Sequence, residues 1–203
     1  MLIDCVILGS GGHGKVVLDA FLISSHACRV MDHDPDRVGS TLLGIKVELF
    51  DLDHIPSKMH LAIGDNAVRK KLHQELDAFV SEWVVVRHPD SVVSASAGIG
   101  DGVFIAANSI VGADSKIGMM AIVNHGSVVD HDCIVGAYCH VAPNATLGGG
   151  VRLANGVLVG SGAVILPGID VGENAVIGSG AVVTRNVSSG STVLGVPAKE
   201  KSR

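Results

Sequence analysis

Aliphatic residues recur at every sixth position through the second half of the chain. From residue 93 onward the sequence divides into six-residue units without an insertion. The first positions are Val93, Ile99, Ile105, Val111, Ile117, Val123, Val129, Val135, Val141, Leu147, Leu153, Val159, Ile165, Val171, Ile177 and Val183. The fifth positions, from Ala97 to Val187, hold only Ala, Ser, Cys, Val or Ile. This pattern predicts short strands and tight corners around a narrow prism, because a helical period of about 3.6 cannot keep the register.

The first 88 residues show a different pattern, in which short apolar runs alternate with longer helical segments. The pattern predicts strands at 3–8, 29–31 and 61–63 and helices at 15–25 and 65–83. This is an α/β unit with room for one half of a dinucleotide-binding fold. We therefore predict an α/β domain at 1–88, an all-β repeat domain at 89–188 and a C-terminal tail at 189–203.

Composition narrows the range of partners. The chain has 203 residues, a net charge of −5 and a pI of about 6.0, which gives no electrostatic reason to expect nucleic acid. No apolar run approaches the roughly 18 uncharged residues of a membrane span, and the N-terminus lacks the basic region of a signal peptide. The four cysteines form no C-x-x-C pair. We therefore expect a cytoplasmic protein with small-molecule partners and no membrane contact.

A glycine-rich turn follows the first predicted strand. Residues 9–14, "GSGGHG", satisfy the G-x-G-x-x-G spacing of a dinucleotide-binding turn. A full dinucleotide fold needs two such halves, which the N-terminal segment is too short to supply. Backbone N–H groups at a helix N-terminus also favour phosphate oxygens in general. The turn therefore predicts binding of a nucleotide-linked diphosphate and not of NAD.

The hexads resemble the repeat of left-handed β-helix acyltransferases, in which three hexads form a triangular coil of about 18 residues. Five segments, "GSGGHGKVV", "VMDHDP", "AIGDNAVRKKL", "VNHGSVVDHDCIVGAYCHVAP" and "VLGVPAK", together resemble one subfamily. It contains the sugar acetyltransferases related to the bacillosamine-pathway N-acetyltransferase and to NeuD-type sialic acid O-acetyltransferases. The resemblance covers essentially the whole chain. It implies a half-Rossmann α/β domain followed by a left-handed parallel β-helix of about five coils, with the C-terminal tail near the CoA site.

The same resemblance implies a catalytic base. His131 would take the proton of the attacking amine, helped by Asp132, and imidazole titrates in the useful range for this step. His140 would contact acetyl-CoA near the thioester. The period of about 18 residues places Gly149 above His131, where its N–H could face the developing oxyanion, although glycine is common in every hexad.

A second column of residues follows from the same period. Pro143, Ser161 and Ser179 stack above His125, and the resemblance implies contacts with CoA at the two serines. His125 is interpreted as a pocket wall, and its neighbour Asn124 could equally be a corner residue in the left-handed conformation. Two cysteines, at positions 133 and 139, occupy inward positions, so we expect core residues and not nucleophiles there.

For the nucleotide, the resemblance implies contacts from six residues in the N-terminal domain. They are Gly11, Gly12, His13, Asp32, His33 and Gly64. His33 departs from the family, which often has a second acidic residue at this position. Asp32 could bind a ribose hydroxyl or act as a turn residue before Pro35.

The function that we infer from the sequence is acetyl transfer in glycan biosynthesis. Acetyl-CoA would be the co-substrate, no metal would be needed, and the acceptor would be a UDP-linked 4-amino-4,6-dideoxy sugar. The enzyme would be a homotrimer with active sites at the subunit interfaces. Three alternatives stay open: O-acetylation of sialic acid or a related sugar, a zinc hydratase using interfacial His125, His131 and His140, and a nonenzymatic binding protein.

Overall fold

A computed structural model describes residues 5–24 and 27–201 of the protein. The first two residues of the strand predicted at 3–8, and the last residue of the helix predicted at 15–25, lie outside the described residues. Within the described ranges, no helix is long and apolar enough to cross a membrane.

The N-terminal part is an α/β domain, as the sequence predicts. Its elements are β1 (Cys5–Leu8), α1 (Gly12–Ser24), β2 (Cys28–Asp32), a 3-10 helix (Pro35–Arg37), β3 (Thr41–Leu42), β4 (Ile45–Leu49), β5 (Lys58–Leu61), α2 (Asn66–Leu76) and β6 (Glu82–Trp83). The sheet has the order β3-β4-β2-β1-β5-β6, and all pairs except β3-β4 are parallel. The carboxyl ends of β1, β2 and β5 therefore meet at one edge, where such sheets bind ligands.

Several sequence-based assignments in this domain are wrong. The strand predicted at 61–63 lies at Lys58–Leu61, and the helix predicted from residue 15 begins at Gly12. The helix predicted to run to residue 83 ends at Leu76, because Trp83 pairs with Met59 in β6 and its indole N–H donates to Asp77 (2.8 Å). The strands β3 and β4 were not predicted. In β4 only Val47 is fully buried, so the segment lacks the apolar run that marks the central strands.

The repeat region is a parallel β-helix whose strands are mostly two residues long. They are β7 (Val86–Arg87), β8 (Val92–Val93), β9 (Gly98–Ile99), β10 (Phe104–Ile105), β11 (Ile110–Val111), β12 (Lys116–Ile117), β13 (Ile122–Val123), β14 (Val128–Val129), β15 (Ile134–Val135), β16 (His140–Val141), β17 (Thr146–Leu147), β18 (Arg152–Leu153), β19 (Leu158–Val159), β20 (Val164–Ile165), β21 (Asp170–Val171), β22 (Val176–Ile177), β23 (Val182–Val183), β24 (Thr192–Leu194) and β25 (Lys199–Glu200). From β7 to β20, each strand pairs with the strand 18 residues later, as Phe104 does with Ile122 and Ile122 with His140. The predicted coil length is confirmed.

The strands form three faces of a prism. The first face contains β7, β10, β13, β16, β19, β22, β24 and β25; the second contains β8, β11, β14, β17, β20 and β23; the third contains β9, β12, β15, β18 and β21. We call the turns after the first face the first corner, those after the second face the second corner, and those after the third face the third corner.

The aliphatic first positions and small fifth positions fill the prism. Cys133 and Cys139 are fully buried in this core, as predicted. The register changes in the last coil, where Val187 bridges to Val171 and Thr192 pairs with Val176. This coil is 16 residues long, so Val187 takes the place of a first position and not of the fifth position that we assigned to it.

The α/β domain packs on the first face of the prism. Phe104 and Ile122 point outward from this face into the apolar cluster that contains Val17, Leu18 and Phe21 of the domain. A second cluster joins the other side of the sheet to the third corner. The two domains therefore share continuous apolar packing.

A buried arginine of α2 completes this interface. Arg69 is 1% exposed, and its Nε–H donates to the carbonyl of Met120 (2.7 Å) at the third corner. Its Nη2–H donates to the carbonyl of Tyr138 (2.9 Å), while Nη1–H donates to that of Ile63 (2.8 Å). One guanidinium thus satisfies backbone carbonyls of both domains, which would otherwise be buried without partners.

We expect Arg69→Met to lower the free energy of unfolding by roughly 3–5 kcal/mol, because it leaves several buried carbonyls unpaired. Denaturant unfolding followed by circular dichroism measures this change. Lys71→Met, on the exposed side of the same helix, should change stability by less than about 0.5 kcal/mol. Equal unfolding midpoints for the two variants would show that Arg69 does not join the domains.

Candidate active site

A cavity of about 510 Å³ lies at the carboxyl edge of the α/β sheet. Its lining residues are Gly9, Gly11, Gly12, His13, Asp32, Asp34, Arg37, Ala62, Ile63 and Gly64. Five of the six residues predicted to bind the nucleotide line this cavity together. The sixth, His33, does not line it, and its ring packs edge-on against Phe50 with 4.7 Å between the ring centroids.

The glycines of the glycine-rich turn differ in the space around them. A side chain at Gly14 would overlap the carbonyl oxygen of Gly9, so Gly14 allows α1 to start close behind the turn. Gly12 has nothing within 4 Å of the position of a Cβ atom, and Gly11 has only Arg37 at that limit. Helix α1 begins at Gly12, so the free N–H groups of its first turn lie at this open side of the turn.

Asp32 holds the turn in place. One carboxylate oxygen accepts from the N–H (2.7 Å) and the hydroxyl (2.6 Å) of Ser10, and the other accepts from the N–H of Asp34 (3.0 Å). Burial raises the pKa of Asp32, but the hydrogen bonds from Ser10 and Asp34 and the charge of Arg37 outweigh it and lower the pKa overall. Asp32 therefore stays ionised and makes the contacts of a turn residue, while its place in the cavity wall keeps the ribose contact a prediction.

Three histidines lie between the cavity and the prism. His13 packs edge-on against Phe104 (5.4 Å between ring centroids) and lies 6.1 Å from His140, while His60 packs on the same Phe104 at 6.3 Å. Burial, followed by the charges of neighbouring histidines, lowers the pKa of His13 to about 3. Burial likewise lowers the pKa of His60 and of His140 to about 4. All three are therefore neutral near pH 7.

His140 connects the two domains. Its Nδ1–H donates to the carbonyl of Gly64 (3.3 Å), and its Nε2 accepts from the side-chain amide of Asn124 (3.0 Å). Both ring nitrogens thus have protein partners. The Oδ1 atom of Asn124 accepts from the N–H of His125 (2.9 Å), and Asn124 does not have the left-handed conformation that was one alternative for it. That conformation occurs at fourth positions of the hexads, such as Asp132 (φ 59°).

His131 and Asp132 form an exposed pair at the second corner. The Nδ1–H of His131 donates to a carboxylate oxygen of Asp132 (2.8 Å), and the two side chains are 61% and 65% exposed. This hydrogen bond, together with the charge of Asp130, raises the pKa of His131. The Asp132 carboxylate also fixes the proton on Nδ1, which leaves the lone pair of Nε2 free to accept a proton.

The predicted stacking of Gly149 on His131 is confirmed. The N–H of Gly150 donates to the carbonyl of His131 (2.9 Å), and a Cβ atom at Gly149 would lie 2.5 Å from Nε2 of His131. Gly149 therefore leaves room for the imidazole. The column above His125 is also confirmed, since backbone hydrogen bonds join His125 to Asn144, Pro143 to Gly162 and Ser161 to Gly180.

One chain does not bring all the predicted site residues together. His140 lies on the first face, whereas His131 lies at the second corner, beyond the full width of the second face. At about 3.3 Å per residue, this width is on the order of 15–20 Å. Within the described residues, no three His, Cys, Asp or Glu side chains are grouped to hold a metal ion.

Two polar residues of the site were missed by the sequence analysis. Arg37 lines the cavity, and Asn124 donates to His140. Arg37 lies two residues after the acidic strand end "VMDHDP", so its position near the cavity could have been inferred from that segment. Nothing in the sequence indicates the contact of Asn124 with His140, because it depends on how two coils stack.

Comparison with known proteins finds relatives for both domains. The family profile described as PglD N-terminal domain matches residues 4–76, and the one described as bacterial transferase hexapeptide (six repeats) matches residues 114–149 and 150–185. UDP-N-acetylbacillosamine N-acetyltransferase of Bacillus subtilis (strain 168) is 36% identical over 115 residues, which are 51% of this chain and 51% of that protein. This match spans about half the length of the curated relative.

Two solved structures are similar along nearly the whole chain. A histidine variant of perosamine N-acetyltransferase from Caulobacter crescentus, in complex with CoA and GDP-perosamine, is 37% identical with a TM-score of 0.93, covering 100% of this chain and 99% of that one. The acetyltransferase domain of PglB from Neisseria gonorrhoeae FA1090, in complex with acetyl coenzyme A, is 33% identical with a TM-score of 0.91, covering 99% and 100%.

The neutral histidines predict a loss of stability in acid. The pKa values of His13, His60 and His140 lie below the ordinary value of about 6.5, so the unfolded chain binds more protons than the folded chain between pH 6.5 and about 4. The three histidines contribute their full stabilisation above pH 6.5. Below that pH, each of them lowers the free energy of unfolding by on the order of 1.4 kcal/mol per pH unit.

Denaturant unfolding at pH 7.5, 6.5, 5.5 and 4.5 measures this dependence. His60→Asn should make the pH dependence of stability less steep, since it removes one of the three buried histidines. His54→Gln, at an exposed site, should leave it unchanged. A stability that stays constant from pH 7.5 to 4.5 would contradict the neutral state of the three histidines.

Proposed function

Because the chain belongs to the PglD- and NeuD-type sugar acetyltransferases of the hexapeptide-repeat family, we propose that it acetylates the 4-amino group of a nucleotide-linked 4,6-dideoxy sugar. Acetyl-CoA is the acetyl donor. The observation that carries this proposal is the exposed His131–Asp132 pair directly below Gly149.

His131 is the proposed general base. Asp132 holds the proton on Nδ1, and the free Nε2 accepts the proton that the sugar amine loses as its nitrogen bonds to the thioester carbonyl. The N–H of Gly149 donates to the oxyanion of the tetrahedral intermediate. When the C–S bond breaks, His131 returns the proton to the CoA sulfur, so the products are an amide and a thiol. This direct transfer needs no covalent enzyme intermediate.

The α/β domain is the proposed nucleotide site. The N-terminus of α1, beside the open space at Gly11 and Gly12, suits a diphosphate, and Gly64 joins this site to His140. UDP is the nucleotide expected from the sequence. The relative from Bacillus subtilis, matched over about half of its length, is named for a UDP-linked sugar, whereas the structure from Caulobacter crescentus, matched over nearly its full length, holds GDP-perosamine. Both nucleotides therefore belong in the test.

Self-association supplies the missing part of the site. The outward positions of the second face are Val92, Ile110, Val128, Thr146, Val164 and Val182, whereas those of the third face are Gly98, Lys116, Ile134, Arg152 and Asp170. Val92 and Ile110 are 62% and 41% exposed in one chain. This apolar row favours packing against a second copy. Such packing would place the second corner of one chain near the nucleotide cavity of its neighbour, with CoA between them beside Ser161 and Ser179.

An acetyl-transfer assay tests the reaction directly. Purified protein should release CoA from acetyl-CoA with a UDP- or GDP-linked 4-amino-4,6-dideoxy sugar, and sialic acid should be a poor acceptor. We expect His131→Ala to lower kcat by roughly 10²–10⁴-fold, the range for loss of a general base. His54→Ala, at an exposed site outside the cavity, should retain normal turnover. Normal kcat in a folded His131→Ala protein, or transfer to sialic acid alone, would refute the proposal.

Mixed assemblies test whether sites are shared in a homotrimer. His131→Ala removes the base, and Gly12→Asp places a carboxylate where the diphosphate would lie, so each variant alone should be nearly inactive. If each site combines the base of one chain with the cavity of another, co-expression of the two variants should restore about a quarter of normal activity. Sedimentation confirms the assembly state. A mixture as inactive as its components would place both parts of the site in one chain.

A further inference from the structure

Arg37 lies over the phosphate-binding turn. Its Nη1–H donates to the carbonyl of Ser10 (3.3 Å), and its Nε lies 3.4 Å from a carboxylate oxygen of Asp34. The same Nη1 atom is 4.0 Å from the position that a Cβ atom of Gly11 would occupy. The guanidinium therefore reaches the space above the open glycine of the turn.

The charge of the cavity wall bears on how it could bind a diphosphate. Among its lining side chains, all within the described ranges, Asp32 and Asp34 are carboxylates and Arg37 is the one cation. Burial keeps His13 neutral by lowering its pKa to about 3. The N-terminus of α1 supplies only about half a positive charge. A diphosphate entering beside two carboxylates would be repelled without Arg37.

The backbone places Arg37 independently of its side-chain contacts. Arg37 ends the 3-10 helix, in which Asp34 is the N-cap residue and accepts from the N–H of Asp36 (3.0 Å). Pro35 fixes the first turn of this helix. The ion pair with Asp34 is about half exposed, and such pairs contribute little, so the side chain can exchange partners at small cost.

We propose that Arg37 exchanges its contact with Asp34 for the diphosphate of the substrate and so selects nucleotide-linked sugars over free sugars. A guanidinium can donate two parallel hydrogen bonds to phosphate oxygens, which an ammonium cannot do in the same geometry. This assignment rests on the proposed nucleotide-linked acceptor. It adds to that function a residue that recognises the diphosphate and not the sugar or the base.

Calorimetric titration with UDP and GDP tests the assignment without acetyl transfer. We expect Arg37→Met to weaken binding of the preferred diphosphate by roughly 10–100-fold, as for the loss of a charge-assisted bidentate contact. Arg37→Lys should recover part of this loss. The affinity for acetyl-CoA should not change. Arg152→Met, on the outward third face, is the matched control and should bind the diphosphate normally.

A double-mutant cycle makes the test sharper. Asp34→Asn keeps an N-cap side chain but removes the carboxylate that competes for Arg37, so it should tighten diphosphate binding several-fold. In the Arg37→Met background, that gain should shrink to the smaller effect of removing one negative charge. Binding of uridine and guanosine, which lack phosphate, should be equal in all four proteins.

The outcomes separate the two proposals. Wild-type protein that binds a diphosphate but transfers no acetyl group to any nucleotide sugar would refute the proposed function and leave the role of Arg37 intact. Equal diphosphate affinity in Arg37→Met and wild-type protein would overturn the role of Arg37 and leave acetyl transfer intact. Wild-type protein that binds neither UDP nor GDP would also overturn it.

Discussion

The buried guanidinium of Arg69 determines how the two domains sit on one another. Besides its contacts with Met120, Tyr138 and Ile63, Arg69 donates to the carbonyl of Gly64 (3.2 Å), which also accepts from His140 of the prism (3.3 Å). Gly64 is part of the cavity wall. The cavity is thus fixed relative to the first face by hydrogen bonds to backbone atoms, which cannot rotate away as side chains can. The cation also helps to lower the pKa of His140, although burial is the larger cause.

The geometry of the coil places the reactive pair as a consequence of ordinary packing. Tight corners need a left-handed residue at the fourth position of a hexad, and aspartate tolerates that conformation better than most residues. Asp132 occupies such a position, directly after His131, and its carboxylate therefore reaches the imidazole. The coil above must then lack a side chain at the matching position, which Gly149 provides. The requirements of the fold and those of the proposed chemistry are met by the same three residues.

The features that the sequence predicts well are those set by a repeating steric rule. The inward position of Cys133 and the stacking of Gly149 on His131 follow from the 18-residue coil, because any slip would bury polar side chains. The features that it predicts poorly depend on contacts between distant segments. Helix α2 ends early because Trp83 joins the sheet, and Val187 changes position because the last coil is short. The sequence likewise does not indicate that Asp32 accepts hydrogen bonds from Ser10 and Asp34.

The histidines divide into two groups with opposite environments, and this division fits a site assembled from two chains. His13 and His140 are enclosed, stay neutral and hold geometry, because burial disfavours their charged forms. His131 is exposed beside two carboxylates that favour its protonated form, so it can take up a proton. A general base must be able to exchange a proton, whereas a binding pocket must be rigid. In each chain, one face of the narrow prism separates His131 from the pocket. Under the proposed function, association of identical chains is therefore the step that brings the base to the bound amine.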